Sequence, residues 1–80
     1  MQIEYKPQVV KQVKKLPLSE KKKVIRKLEH LSTEPKSGKA LKGELKGFYS
    51  LRAWPYRIIY EIKKGKIIIY SIAHRQGVYK

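Results

Sequence analysis

Apolar and polar positions follow a helical spacing in the first half of the chain. In PQVVKQVKKL, residues 7–16, apolar side chains recur every three or four residues, and SEKKKVIRKLEHL, residues 19–31, repeats that spacing. Pro17 lies between the two segments and either ends the first helix or opens the second, with Ser19 as a candidate N-cap. The pattern predicts an antiparallel pair of amphipathic helices, each with one apolar stripe and one basic face.

Strand-like patterns flank these helices. Residues 2–6 alternate and predict a short first strand, whereas residues 33–47 contain one proline and three glycines and predict a loop. Three later segments are rich in β-branched and aromatic residues: FYSLRAW, YRIIYEI and KIIIYSIAH. Lys64-Gly65 marks a tight turn between the last two. The sequence therefore predicts an α+β fold with a short N-terminal strand, an α-helical hairpin and a three-stranded antiparallel meander.

Alternation within the later strands separates charged from apolar side chains. Ser50, Arg52, Arg57 and Glu61 fall on one face of the predicted sheet, and their apolar neighbours fall on the other. The helix stripes are expected to cover the apolar face. The charged face is then left open and concave, uncovered by any remaining element, and is the candidate site.

Length and composition exclude several classes of protein. Eighty residues provide one modest core and predict a single domain over residues 1–80. Cysteine is absent, which excludes disulfides and thiolate chemistry. The longest apolar run, residues 67–70, is far shorter than a bilayer-spanning segment, and the N-terminus lacks a signal-peptide pattern. We expect a soluble cytoplasmic protein without membrane association.

The charge balance predicts a polyanionic partner. Lys and Arg number 20 against 6 Asp and Glu, a formal net charge of +14. Residues 1–47 carry 13 basic and 5 acidic side chains, and residues 48–80 carry 7 and 1, so both parts are basic and neither is a charged tail. Nucleic acid or an acidic protein is the expected partner. A lysine-rich composition that serves solubility or a hot environment is the alternative interpretation.

Metal and cofactor chemistry are not indicated. Aspartate is absent, the only histidines are His30 and His74 in different elements, and no spacing resembles a ligand set. GELKG, residues 43–47, lacks the glycine spacing and the following helix of a nucleotide-binding loop. We therefore expect neither a metal site nor a small-molecule cofactor.

The remaining candidates are cationic, imidazole and phenolic groups. They suit attack of an RNA 2′-hydroxyl on its own 3′ phosphate, because fixed cations stabilise the charge that develops on the phosphoryl oxygens, while His or a perturbed Tyr can transfer protons. The candidates for this chemistry are Arg57, Arg75, His74 and Tyr79. The other cationic candidates, for binding RNA, are Lys39, Lys42, Lys46 and Arg52. On position alone, a solvated strand arginine is an equally good interpretation of Arg57.

The run LKGELKGFYSLRAWPYRIIYEI, followed by IIIYSIAHRQGVY, resembles the RelE/ParE superfamily of toxins from bacterial and archaeal toxin–antitoxin pairs. The resemblance covers nearly the whole chain. It implies a compact α+β fold and a RelB-like antitoxin partner. For the RelE branch it also implies a metal-independent endoribonuclease that cuts translated mRNA in the ribosomal A site.

The resemblance also implies roles for individual residues. Arg57 matches the family arginine of the YR strand, and Arg75 matches the arginine after the last strand, both of which bind and stabilise the scissile phosphate. Tyr79 matches the C-terminal tyrosine that stacks on or activates the nucleotide. His74 lies where related toxins such as YoeB place a histidine near the acid/base position.

One departure from the family pattern concerns the general base. RelE has two lysines on the strand before YR, and the matching positions here are Phe48 and Ser50. Arg52, Lys46 and His74 are the possible substitutes, and the sequence does not choose among them. Two other functions stay open at this point, a ParE-like inhibitor of DNA gyrase and a non-catalytic RNA-binding protein.

Overall fold

A computed structural model of the protein describes residues 2–74 and confirms the α+β fold. The elements in chain order are β1 (Gln2–Tyr5), α1 (Pro7–Lys14), α2 (Leu18–Thr33), β2 (Lys39–Ala40), a 3-10 turn (Gly43–Leu45), β3 (Phe48–Ala53), β4 (Tyr56–Lys63) and β5 (Lys66–His74). The strands form one sheet in the order β1-β5-β4-β3-β2, in which β1 pairs parallel with β5 and the other pairs are antiparallel. In the part of the chain that the structure describes, neither helix is long and apolar enough to cross a bilayer.

Both predicted helices are present, with one difference at the start of α2. Its N-cap is Pro17, whose carbonyl oxygen accepts the Lys21 N–H at 2.8 Å, so the predicted cap at Ser19 is wrong. The fixed φ of proline starts this helix two residues earlier than the serine would. Val24, Leu28 and Leu31 are buried on α2 at the spacing of one helical stripe.

The helix stripes pack on one face of the sheet and form the core. The buried members are Val9, Val24, Leu28, Leu31, Leu51, Ala53, Ile58, Tyr60, Ile67, Ile69 and Ile72. Alternation along β3 and β4 follows the prediction, because Leu51, Ala53, Ile58 and Tyr60 are buried while Arg52 is exposed.

The predicted hairpin between β4 and β5 is confirmed. Lys63 pairs with Lys66, which leaves a two-residue loop, and both loop residues have positive φ, 51° at Lys64 and 76° at Gly65. Two positive φ values are typical of the type I′ turn, whose twist matches that of the flanking strands.

The segment 33–47, predicted as a loop, contains a short strand and a 3-10 turn. Within this segment, β2 pairs with β3 at the edge of the sheet. The residues just before β2 are bound by a buried tyrosine. The Tyr60 hydroxyl donates to the Pro35 carbonyl oxygen at 2.7 Å and accepts the Gly38 N–H at 3.0 Å. A Cβ at Gly38 would lie 2.6 Å from that hydroxyl oxygen, so only glycine fits this approach.

A β-bulge interrupts the pairing of β4 with β5. Ile59 pairs with Ser71 and Tyr60 pairs with Ile69, so Tyr70 is an extra residue on β5. Ile69 and Ile72 are both buried, which leaves Tyr70 and Ser71 together on the face opposite the helices. The bulge therefore adds one aromatic side chain to the open face.

Candidate functional site

Two arginines lie directly opposite each other on the face of the sheet that the helices leave open. Arg52 on β3 pairs with Arg57 on β4, and paired residues of antiparallel strands project to the same side. Two residues away on β3, and on the same face, Ser50 lies opposite Lys39 of β2. Three cations from three adjacent strands therefore share one end of the open face.

These cations line a concave pocket of about 570 Å³. Its lining residues, called the basic pocket below, are Lys39, Leu41, Leu45, Ser50, Arg52, Arg57 and Ile59. Leu41 and Leu45 come from the segment around the 3-10 turn and form a wall beside the strands. The expectation that no element covers this face is therefore wrong at this end, since the glycine-rich segment folds back and encloses it.

The charge of the basic pocket is of one sign. Its lining contains three cationic side chains, one hydroxyl and three aliphatic side chains, with no carboxylate among them. Arginine side chains are suited to bidentate hydrogen bonds with phosphate, and a half-enclosed site strengthens such bonds relative to water. The arrangement can bind a phosphodiester and stabilise additional negative charge on its oxygens.

A second group of side chains occupies the other end of the open face. Glu61 on β4 pairs with Phe48 on β3, and the bulge places Tyr70 beside them. The Tyr70 hydroxyl donates to Glu61 Oε1 at 3.0 Å, and the Phe48 and Tyr70 rings meet edge to face with centroids 5.1 Å apart. Lys6 Nζ lies 5.4 Å from the centre of the Tyr70 ring. We call Phe48, Glu61 and Tyr70 the aromatic–carboxylate cluster.

The hydrogen bond to Glu61 raises the pKa of Tyr70 above that of an ordinary tyrosine, and desolvation adds to it. Tyr70 therefore stays protonated and orients the carboxylate. Alternation along β4 predicts Glu61 on the open face, but alternation does not predict that Tyr70 joins it. The bulge could have been recognised from the spacing of the isoleucines at 67, 69 and 72, which are buried. Strict alternation would have buried residue 71, which is a serine.

The predicted site residues are only partly brought together. Arg52, Arg57 and Lys39 meet in the basic pocket, while Lys42 and Lys46 flank the 3-10 turn on the exposed side of the same segment. Of the two positions that hold lysines in RelE, Ser50 lines the pocket and Phe48 belongs to the aromatic–carboxylate cluster.

His74 lies on the other side of the sheet. It pairs with Tyr56, whose side chain packs against the core, and the two rings meet edge to face at 5.5 Å. Its neighbour Ala73 pairs with Arg57 and shares the open face. Strand alternation therefore places His74 on the face opposite Arg52 and Arg57. The other two predicted catalytic residues, Arg75 and Tyr79, lie outside the described residues.

Within residues 2–74, no group of three or more His, Cys, Asp or Glu side chains is placed to hold a metal ion. The charged side chains that line the basic pocket are arginine and lysine.

Comparisons of the sequence and of the structure with known proteins both point to toxins of toxin–antitoxin systems. Residues 3–79 match the family model described as the ParE toxin of the type II toxin–antitoxin system, parDE. No curated protein sequence matches the chain at a significant level.

Solved toxin–antitoxin structures share the fold. A RelBE complex from Mycobacterium tuberculosis has a TM-score of 0.82 and 29% identity, covering 92% of this chain and 96% of that chain. The RelB–RelE complex from Methanococcus jannaschii has a TM-score of 0.78 and 23% identity, covering 95% and 94%. The YoeB–YefM complex from Staphylococcus aureus has a TM-score of 0.76 and 23% identity, covering 92% and 95%.

Proposed function

Because this chain belongs to the ParE toxin family of type II toxin–antitoxin systems, within the RelE/ParE superfamily, we propose that it is an endoribonuclease that cleaves translated messenger RNA on the ribosome. The observation that carries the proposal is the cross-strand pair of Arg52 and Arg57, which lies with Lys39 in a pocket free of carboxylates. Such a pocket suits a phosphodiester whose negative charge increases during reaction.

The reaction that fits this pocket is internal transfer of the phosphodiester. The RNA 2′-oxygen attacks the adjacent phosphorus, the bond to the 5′-oxygen breaks, and a 2′,3′-cyclic phosphate forms. A base takes the 2′-hydroxyl proton and an acid protonates the departing 5′-oxygen. Arg57 and Arg52 bind the non-bridging oxygens and stabilise the charge that develops on them. These fixed cations supply that stabilisation from the protein's own side chains.

The roles of the remaining candidate residues are proposed from the resemblance to the RelE/ParE superfamily. Arg75 is proposed as a further phosphate ligand and Tyr79 as the residue that stacks on or activates the nucleotide. His74 is proposed as an acid or base, although its pairing with Tyr56 directs it away from the arginines. Lys46 is the other proposed base. Arg52 is the third substitute that the sequence offers, and its role as a phosphate ligand needs the protonated guanidinium. Mutation of each candidate decides among them.

The proposed partners follow from the same surface. An antitoxin of the RelB type is expected to cover the basic pocket with an acidic or apolar segment, because a polycationic site attracts complementary charge. The exposed Lys42 and Lys46 are expected to bind ribosomal RNA. A cytoplasmic site of action is part of the proposal, because translating ribosomes are its target.

Toeprinting on translating ribosomes tests the proposal. The wild-type protein should produce new primer-extension stops within the codon in the A site. Arg57→Ala and Arg75→Ala should abolish them, whereas Arg26→Ala, which removes an exposed arginine from α2, should not. Undiminished cleavage by Arg57→Ala would contradict the assignment of the site.

Inhibition of DNA gyrase is the second candidate, because the matching family model is that of the ParE toxin. It predicts loss of gyrase supercoiling when the purified protein is added, with intact messenger RNA on translating ribosomes. Running the supercoiling and toeprinting assays on one preparation separates the two functions.

A further inference from the structure

The aromatic–carboxylate cluster combines two ring surfaces with an oriented hydrogen-bond acceptor. Phe48 and Tyr70 are both half-buried, and their edge-to-face contact holds the rings in place. The Tyr70 hydroxyl binds Oε1 of Glu61 at 3.0 Å. A carboxylate offers about four acceptor positions, so this bond orients Glu61 without filling it. These are the two kinds of group that recognise bases in single-stranded RNA.

The cluster lies on the same face as the basic pocket. Glu61 and Arg57 are four residues apart on β4, a separation of about 13 Å along the strand, and Ile59 of the pocket lies between them. A single RNA strand bound through a phosphate at Arg57 can therefore extend along the open face and place a neighbouring base at Glu61.

The electrostatic setting of Glu61 favours a specific contact over general binding of RNA. A carboxylate on a face that binds a polyanion weakens sequence-independent binding through like-charge repulsion. The same carboxylate strengthens binding where it accepts hydrogen bonds from a base edge. Glu61 therefore favours particular bases over others.

We propose that Phe48, Glu61 and Tyr70 form a base-recognition subsite that selects guanine in the message next to the scissile phosphate. Guanine presents two adjacent donors, N1–H and the N2 amino group, which one carboxylate accepts together. Uracil presents a single N–H between two carbonyl oxygens that repel a carboxylate, so it is the least favoured base. The inference rests on the proposed function, in which the basic pocket holds the phosphate.

Glu61 serves specificity in this proposal and does not remove the 2′-hydroxyl proton. The Tyr70 hydroxyl already donates to Oε1 of Glu61, and this bond holds the carboxylate in its orientation. Its place on the strand also leaves it away from the phosphate ligands Arg52 and Arg57, which face each other at the opposite end.

Binding of uncleavable RNA tests the subsite without requiring activity. The probes are two 2′-O-methyl oligoribonucleotides, AAGAA and AAUAA, and the measured quantity is the ratio of their affinities. We expect the wild-type protein to prefer the guanine probe by about tenfold. Glu61→Gln should bring the ratio close to one. Glu44→Gln, which removes a carboxylate of the same charge from the 3-10 turn, should leave the ratio unchanged.

The ring contribution has a different signature. Phe48→Leu should weaken binding of both probes by roughly tenfold, because stacking depends little on base identity. Circular dichroism confirms that the variant is folded. A wild-type ratio near one, or a ratio that Glu61→Gln leaves intact, would overturn the subsite.

Sequencing of the 3′ ends made on translating ribosomes separates this inference from the proposed function. Guanine should be enriched at one position beside the cut with the wild-type protein, and the 3′ ends made by Glu61→Gln should lack that enrichment. Cleavage without any guanine enrichment refutes the subsite alone. Absence of cleavage refutes the proposed function. The ratio of affinities for the two probes then decides whether the protein prefers guanine in binding.

Discussion

Arg52 and Arg57 face each other across β3 and β4, although like charges at directly opposed positions destabilise a sheet. Under the proposed function, a phosphate bound between the two side chains offsets this repulsion. The pair then serves ligand binding and not the stability of the fold.

Substitution of one arginine of the pair should therefore reduce toxicity without reducing the free energy of unfolding. Arg52→Gln is expected to abolish or strongly reduce toxicity while the free energy of unfolding stays the same or rises by up to about 1 kcal/mol. Growth after induction measures toxicity, and urea denaturation measures stability. Arg26→Gln on α2 is the matched control and should retain toxicity. A marked loss of stability in Arg52→Gln would show that the pair supports the fold instead.

The contribution of Lys39 is measurable from salt dependence. If its ammonium group contacts a phosphate, Lys39→Gln should reduce the slope of log K against log salt for single-stranded RNA by about 0.7. Lys63→Gln, at the β4–β5 hairpin on the far end of β4, removes the same charge away from the basic pocket and should reduce the slope less. Equal reductions in the two variants would indicate binding by net charge alone.

The bridge made by Tyr60 should be important for stability. Tyr60→Phe keeps the ring but leaves the Pro35 carbonyl and the Gly38 N–H without the hydroxyl that joins them. Loss of a part-buried bridge of this kind costs about 1–3 kcal/mol of unfolding free energy, which chemical denaturation measures. Tyr49→Phe, whose ring stacks on Tyr60 with centroids 5.3 Å apart, is the control and should cost less.

Alkaline pH should weaken the fold through the same residue. Burial raises the pKa of Tyr60 above its ordinary value of 10.0. The unfolded chain therefore loses this proton first, and the folded state binds more protons over the interval between the two pKa values. Stability conferred by the neutral hydroxyl is present below about pH 10 and decreases as pH rises toward the folded pKa.

Comparison of wild-type protein with Tyr60→Phe isolates this effect. Both proteins share the titration of lysine, so the difference between their unfolding free energies should shrink as pH rises from about 8 to about 11. A difference that stays constant over this interval would contradict the assigned sign.

Much of the fold is readable from local pattern. The stripes of α1 and α2, the alternation of β3 and β4 and the Lys64-Gly65 turn are each fixed by neighbours close in sequence, and all of them are present in the structure. Arg52 and Arg57 could be placed on one face for the same reason. Their exact pairing required the register across the Trp54-Pro55 turn, which periodicity does not supply.

The features that the sequence did not predict depend on contacts between distant residues. The two residues of β2 are strand only because β3 lies beside them, and Leu41 and Leu45 wall the basic pocket because Tyr60 holds the preceding segment. The bulge at Tyr70 is a mismatch between two strands, so neither strand shows it alone. His74 was placed with the arginines by resemblance, whereas strand pairing sets it against Tyr56.

The position of β5 in the sheet bears on when the protein becomes toxic during its own synthesis. This strand lies between β1 and β4, yet it is the last described element to be translated. Until it emerges, β1 has no partner strand, Tyr70 is missing from the open face and the core lacks Ile67, Ile69 and Ile72. A nascent chain that lacks β5 therefore cannot assemble the open face. Under the proposed function, the ribosome that makes the toxin is protected from it until that strand has emerged.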